Sequence, residues 1–178
     1  MVTLSITDDC GQTATTNQVG SFDALVVVYD PDAGFVTGGG WINSPAGAYV
    51  PNPTLVGAAN FGFVSKYQQG TNVPNGQTEF QFKLANLNFH STNYEWLVVA
   101  GPKAQYKGSG TINGTGNYGF ILTATDGQIN GGGGVDKFRI KIWDKNNGDM
   151  IVYDNQMGAG IDDNPITALA GGSIVIHK

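Results

Sequence analysis

The stretch Lys137-Phe138-Arg139-Ile140-Lys141-Ile142-Trp143-Asp144-Lys145-Asn146-Asn147-Gly148-Asp149-Met150-Ile151-Val152-Tyr153 decides the fold class. Its first half alternates charged and apolar residues, the two-residue period of a strand with one buried face. Its second half, Asp149 to Tyr153, is again apolar and β-branched. Between them sits Asn147-Gly148, a pair that takes positive φ with little strain and so closes a short hairpin. The segment reads as a nearly symmetric antiparallel hairpin.

The same pattern extends in both directions. Val2 to Thr7 alternates strictly, and Ala24 to Tyr29 is apolar on both sides, as a buried strand is. Phe61, Phe63 and Tyr67 share one parity; Phe80, Phe82 and Leu84 share another, with Glu79, Gln81 and Lys83 opposite. Glu95 to Ala100, Tyr118 to Thr125 and Ser173 to Ile176 complete the strand candidates. Asn-Gly recurs at 75–76, 113–114 and 130–131, with Asp126-Gly127 besides, and a second hairpin is expected at Asn113-Gly114. The Gly-rich pieces Thr37 to Gly40 and Gly131 to Gly134 read as loops or bulges. No stretch long enough for a helix spaces its apolar residues at 3.6. Roughly ten strands with regular turn signals predict an all-β fold: an antiparallel β-sandwich, jelly-roll or Ig-like, or a flattened barrel. Asn60-Phe61-Gly62-Phe63 is weakly echoed by Asn117-Tyr118-Gly119-Phe120.

Composition limits the function classes. Of 178 residues, 40% are apolar and 11% aromatic, which supplies a core and argues against disorder. Charged residues are 13%, about half the usual ~25%. The 27 Gly show no triplet period, so collagen is out. No apolar run approaches ~18 residues, so no helical membrane insertion is expected. Net charge is −5 and Arg139 is the single arginine, which speaks against nucleic acid as partner. The lone Cys10 excludes an internal disulfide framework and a Cys-based zinc cluster. Met1 to Ser5 lacks a basic region followed by an apolar stretch, so the expectation is a cytosolic chain or a mature or excised piece.

A turn cluster, Asp30-Pro31-Asp32-Ala33-Gly34, separates two unlike regions. Residues 1–34 read as a strand pair with linker and residues 35–178 as the main β-module. The run Val2-Thr3-Leu4-Ser5-Ile6-Thr7-Asp8-Asp9-Cys10-Gly11-Gln12-Thr13-Ala14-Thr15-Thr16-Asn17-Gln18 resembles the last strands of a PKD-type (polycystic kidney disease, Ig-like) domain, with Thr7 to Gly11 as its turn. From Phe35-Val36-Thr37-Gly38-Gly39-Gly40-Trp41-Ile42 onward, with Tyr118-Gly119-Phe120, the chain resembles a β-rich module that follows PKD-type repeats in large secreted bacterial proteins. The resemblance implies an extracellular or cell-surface setting and carries no catalytic residues. The earlier strands of a PKD-type domain are absent from these residues, and an isolated two-stranded hairpin is marginal in water. The opening hairpin is therefore expected to pack on its own module or on a neighbouring copy by strand donation.

Three groups of residues are candidate sites. Trp41, Tyr49, Tyr67 and Tyr118 could stack on sugar rings, with the abundant Asn bonding hydroxyls; Trp41 and Tyr49, in Gly/Pro-rich segments, are the stronger pair, whereas Trp96 and Trp143 read as core. Lys137, Arg139 and Lys141 give one strand face three basic groups, a contact for an acidic polymer or an exposed strand protected by charge. Asp144, Asn146 and Asp149 resemble the start of a calcium loop, but the fifth position is Gly148 and no bidentate Glu follows, so a hairpin turn is the expected reading. Asp162-Asp163-Asn164 is a second acidic loop. His90 lies beside Ser91, yet no Gly-x-Ser-x-Gly elbow is present and Glu79 and Glu95 are the only Glu. The expected function is therefore a non-catalytic surface or secreted module, structural or adhesive, that assembles with itself through residues 2–29. The alternative is a module that binds a surface polysaccharide.

Overall fold

Alternation becomes architecture in a single sheet. The computed structural model describes residues 3–16, 18–19, 22–23, 32 and 34–178. Two short ribbons come first: β1 (Leu4–Thr7) with β2 (Thr13–Thr16), and β3 (Gln18–Val19) with β4 (Phe22–Asp23). The expected strand at 24–29 lies outside the described residues. Then follow β5 (Phe35–Ser44), β6 (Gly57–Tyr67), β7 (Pro74–Phe82), β8 (Leu87–Ala100), β9 (Lys103–Ile112), β10 (Thr115–Thr125), β11 (Lys137–Asp144), β12 (Met150–Asp154) and β13 (Gly171–His177). These nine form one antiparallel sheet in the order β12-β11-β10-β9-β8-β7-β6-β5-β13.

The fold is all-β and antiparallel, as the pattern dictates. Its strands from β5 to β12 follow chain order, without the crossovers of a jelly-roll or Ig-like sandwich, because short connections keep sequence neighbours side by side. Both expected hairpins form. Asn113 and Gly114, at φ 53° and 76°, join β9 to β10, and the 145–149 turn joins β11 to β12. Three other readings shift. Thr37 to Gly40 lies within β5, paired on both sides, rather than in a loop. Asn75-Gly76 lies within β7. Leu84 leaves the Phe80–Phe82 face because residues 83–85 turn into one 3-10 turn, and its side chain is exposed.

Inward glycines explain why β5 stays a strand. A Cβ on Gly38 would strike the Phe63 ring; one on Gly110 would strike the His90 carbonyl and the Phe89 ring, and one on Gly108 the Asn93 carbonyl and, at 2.8 Å, Phe120. At Gly38 glycine is a hole for an aromatic ring on the next strand; at Gly108 and Gly110 it also admits the close backbone of β8. The rings fill the interior: Phe61 stacks on Phe138 at 4.1 Å, Phe80 meets Tyr153 at 4.6 Å, and Phe89 meets Phe120 at 5.1 Å. Phe80, Phe82, Phe89, Tyr106, Phe120, Phe138 and Tyr153 are fully buried.

The sheet curls until its ends meet. The Asp154 N–H donates to the Ala48 carbonyl and the Val50 N–H to the Val152 carbonyl, so the β5–β6 connection borders β12. The Phe138 N–H donates to the Thr167 carbonyl and the Leu169 N–H to the Asp136 carbonyl, bringing the approach to β13 against β11. The outer edge of β13 is then satisfied by two buried carboxylates of the β10–β11 loop. Asp136 accepts the Ile174 N–H at 2.7 Å and the Gly127 N–H at 2.8 Å. Asp126 accepts the Ile176 N–H at 3.0 Å and the Gln128 N–H at 3.0 Å. Turned to satisfy both, the Gln128 side-chain amide donates to both carboxylates. Side chains thus stand in for a missing strand.

Two substitutions test this account. Gly110→Ala forces a methyl against the His90 carbonyl and the Phe89 ring and is expected to cost about 1–3 kcal/mol, read by chemical denaturation. Asp136→Ala leaves the Ile174 and Gly127 N–H groups buried without acceptors, at about 1–3 kcal/mol each. Faster amide exchange at Ile174 and Ile176 than in the wild type is the accompanying signature; unchanged exchange there would refute the stitching role.

Candidate functional site

Strand alternation sends one set of side chains inward and the other outward. The outer face is covered unevenly. Over β9–β11 the segment 155–165 folds back as a strap. Arg139, 3% exposed, holds Asp154 bidentately at 3.1 and 2.9 Å and donates to the Gly160 carbonyl at 2.6 Å and the Ala159 carbonyl at 3.1 Å. Gln105 donates to the Ile161 carbonyl at 2.8 Å, and Lys103 to the Asp162 carbonyl at 2.6 Å. Burial beneath this strap lowers the Lys103 pKa from its ordinary value, and Asp162 and Asp163 oppose that shift. The expected basic stripe of Lys137, Arg139 and Lys141 is therefore not an exposed face. The three share one side of β11, but Arg139 is internal and both lysines are half-buried. Sequence parity placed them correctly; the cover from a later segment was not visible in it.

The aromatic candidates are not brought together. Tyr49 bridges Tyr153 and sets its ring edge-on to Phe82. The Tyr67 hydroxyl donates to the Leu97 carbonyl and accepts the Leu97 N–H, both at 3.0 Å. Tyr49, Tyr67 and Tyr118 all pack half-buried against the core. Trp41 alone of the four faces outward on β5, 37% exposed, with its indole lying across Gly171. Trp143 is buried on the outer face, its indole across Gly119, while Trp96 is half-buried.

The acidic candidates act locally. Asp144 accepts the Asn146 N–H at 2.9 Å, which caps the β11–β12 turn. Asp163 accepts the Gly160 N–H at 2.8 Å. Among the described residues no group of three or more His, Cys, Asp or Glu could hold a metal ion. His90 lies 3.3 Å from Glu79, both exposed, on the outer face. Its neighbour Ser91 points inward, where its hydroxyl accepts the Thr78 N–H at 2.8 Å. Adjacent strand residues face opposite sides of a sheet, so these two cannot form a nucleophile–base pair.

What sequence reading passed over is a groove on the outer face of β6–β8. It is open, about 310 Å³, and lined by Asn60, Gly62, Glu79, Gln81 and Asn88 with the backbone of Phe61. The lining follows from register: Trp41, Asn60, Gln81 and Asn88 form one cross-strand row, and Gly39, Gly62, Glu79 and His90 the next. Its sequence signal was the polar parity of β7, which reads as ordinary solvated strand.

Compared with protein families, with curated proteins and with solved structures, the chain matches none.

The interior holds a polar knot that suits rigidity. The Thr78 hydroxyl lies 2.6 Å from that of Tyr94 and 2.8 Å from that of Tyr106, and Tyr94 also donates to the Val64 carbonyl at 3.0 Å. The Tyr153 hydroxyl donates to Ser44 at 2.9 Å. Burial raises the pKa of Tyr94, Tyr106 and Tyr153 above the ordinary 10.0. A phenol raised in the fold is protonated there while its unfolded counterpart ionises. Its stabilisation is complete below pH 10 and is lost as pH climbs through the folded value. Absorbance titration is expected to show these three ionising only together with loss of the near-ultraviolet dichroism. All seven tyrosines titrating near 10 in an intact fold would contradict it. Arg139→Ala, which strands Asp154 in the interior, is expected to cost about 3–5 kcal/mol in denaturant titration.

Proposed function

We propose that the chain is a non-catalytic module of a secreted or cell-surface protein, structural or adhesive, that assembles through its opening ribbon. The observation that carries this reading is a contrast between two parts. The nine-stranded sheet has its ends joined and its interior filled by aromatic rings. The β1–β2 ribbon is paired with itself alone among the described strands, and β2 is exposed at every residue. Two strands that pair only with each other are marginal in water, whereas the nine-stranded sheet has its edges occupied. A neighbouring copy, or a preceding Ig-like domain of the same protein, supplies a surface for the ribbon. The resemblance of residues 2–18 to the end of a PKD-type domain and the module's low charge support the same setting. The interior filled by aromatic rings supports a scaffold role.

Light scattering after size exclusion tests the proposal on the full chain and on residues 32–178. The full chain is expected to give species larger than one subunit, and the shortened chain a single subunit with an unchanged melting temperature. Monomers from both would overturn assembly through the ribbon.

A further inference from the structure

The outer face of the sheet treats outward glycines in a consistent way. At Gly119 a Cβ would collide with the Trp143 indole, and at Gly171 with the Trp41 indole. In each case the indole of the residue directly opposite on the neighbouring strand occupies the space that the glycine's side chain would take. Gly62 is the same position in the Asn-Phe-Gly-Phe segment that Gly119 is in Asn-Tyr-Gly-Phe. Yet a Cβ on Gly62 would meet nothing within 4 Å, and Gly39, directly opposite, is nearly as open. The chain leaves this ring-sized seat empty.

Polar groups border the seat on the side of β7 and β8. Glu79 is directly opposite Gly62, and Asn60, Gln81 and Asn88 lie in the adjoining row. No hydrogen bond between described residues engages the side-chain amides of Asn60, Gln81 or Asn88. Adjacent strands stand about 4.8 Å apart, so these amides present donors and acceptors in a regular line. On the other side, the exposed face of Trp41 extends the surface from β5 to β13.

The geometry points to a binding site for a neutral oligosaccharide across β5–β8. The occupant follows from the chemistry of the lining. A flat seat and an exposed indole accept the apolar face of a sugar ring, and amides with one carboxylate bond its hydroxyls. No Lys or Arg lines the groove and the chain is net negative, which disfavours phosphate, sulfate or nucleic acid. A peptide adding as a strand needs a free edge, and β6, β7 and β8 are paired on both sides. This site is separate from the assembly ribbon, so either proposal stands or falls without the other.

Amide-resolved NMR titration of the full chain tests the site. The probes are four neutral hexasaccharides: β-1,3-linked glucose, β-1,4-linked glucose, α-1,4-linked glucose and β-1,4-linked mannose. At least one is expected to shift the amides of Gly39, Gly62, Glu79 and Gln81 saturably. Gly62→Val fills the seat, and Gln81→Ala removes one amide. Each is expected to weaken binding about tenfold or more, with the melting temperature unchanged. Trp41→Ala is expected to weaken it less. Absence of saturable shifts with all four probes, shifts centred elsewhere, or full affinity in a folded Gly62→Val protein would each overturn the assignment. Should Gly62→Val not fold, Gln81→Ala and Asn60→Ala, both at outward positions, decide the matter alone.

Discussion

One constraint organises this molecule: a row of large aromatic rings must be buried inside a single sheet. Phe61, Phe63, Phe80, Phe82, Phe89, Tyr106, Phe120, Phe138 and Tyr153 come from seven strands that are consecutive in the chain, β6 to β12. Among the described residues no α-helix covers them, and the sheet covers itself by curling. Curling needs room on the inner surface, and Gly38, Gly108 and Gly110 provide it by having no side chain where a ring or the neighbouring backbone must pass.

Closure then creates a second requirement. A rolled meander brings dissimilar ends together, and those ends are joined by side chains more than by a regular ladder. Asp126 and Asp136 complete the edge of β13, Asn155 donates to the Phe138 carbonyl, and Arg139 anchors the strap through Asp154. Each is buried, and each is fully engaged at the point where two strands fail to pair. Polar residues in the interior of this protein mark its seam.

The outer surface records the same logic from the other side. Where a Trp stands directly opposite an outward glycine, its indole takes the space, as at Gly119 and Gly171; at Gly62 the space stays open, and no hydrogen bond between described residues engages the neighbouring amides. The binding site proposed above lies on the broad side of the sheet, where the β6–β8 groove opens. The opening ribbon, which pairs with no strand of the nine-stranded sheet among the described residues, is the part that we propose joins one subunit to another.

Much of this was legible in the residues. Alternation about Phe80–Phe82 and Phe138–Ile142 set which faces are buried, and Asn113-Gly114 and Asn147-Gly148 set two of the hairpins, because period and turn chemistry are local properties. The glycines of 37–40 misled, since a Gly that ends a strand and a Gly that makes room for Phe63 have the same local signature. Likewise, nothing near Arg139 announces that residues 159–162 will cover it, and nothing near Tyr67 or Tyr118 announces their place against the core. The sequence by itself determined the all-β antiparallel class and the buried parity of strands such as β7 and β11; the strand order came only with the structure. The tertiary structure decided the closure, the buried ion pair and the vacant seat at Gly62, because each depends on which distant segment arrives at a given face, and that is a property of the rolled sheet as a whole.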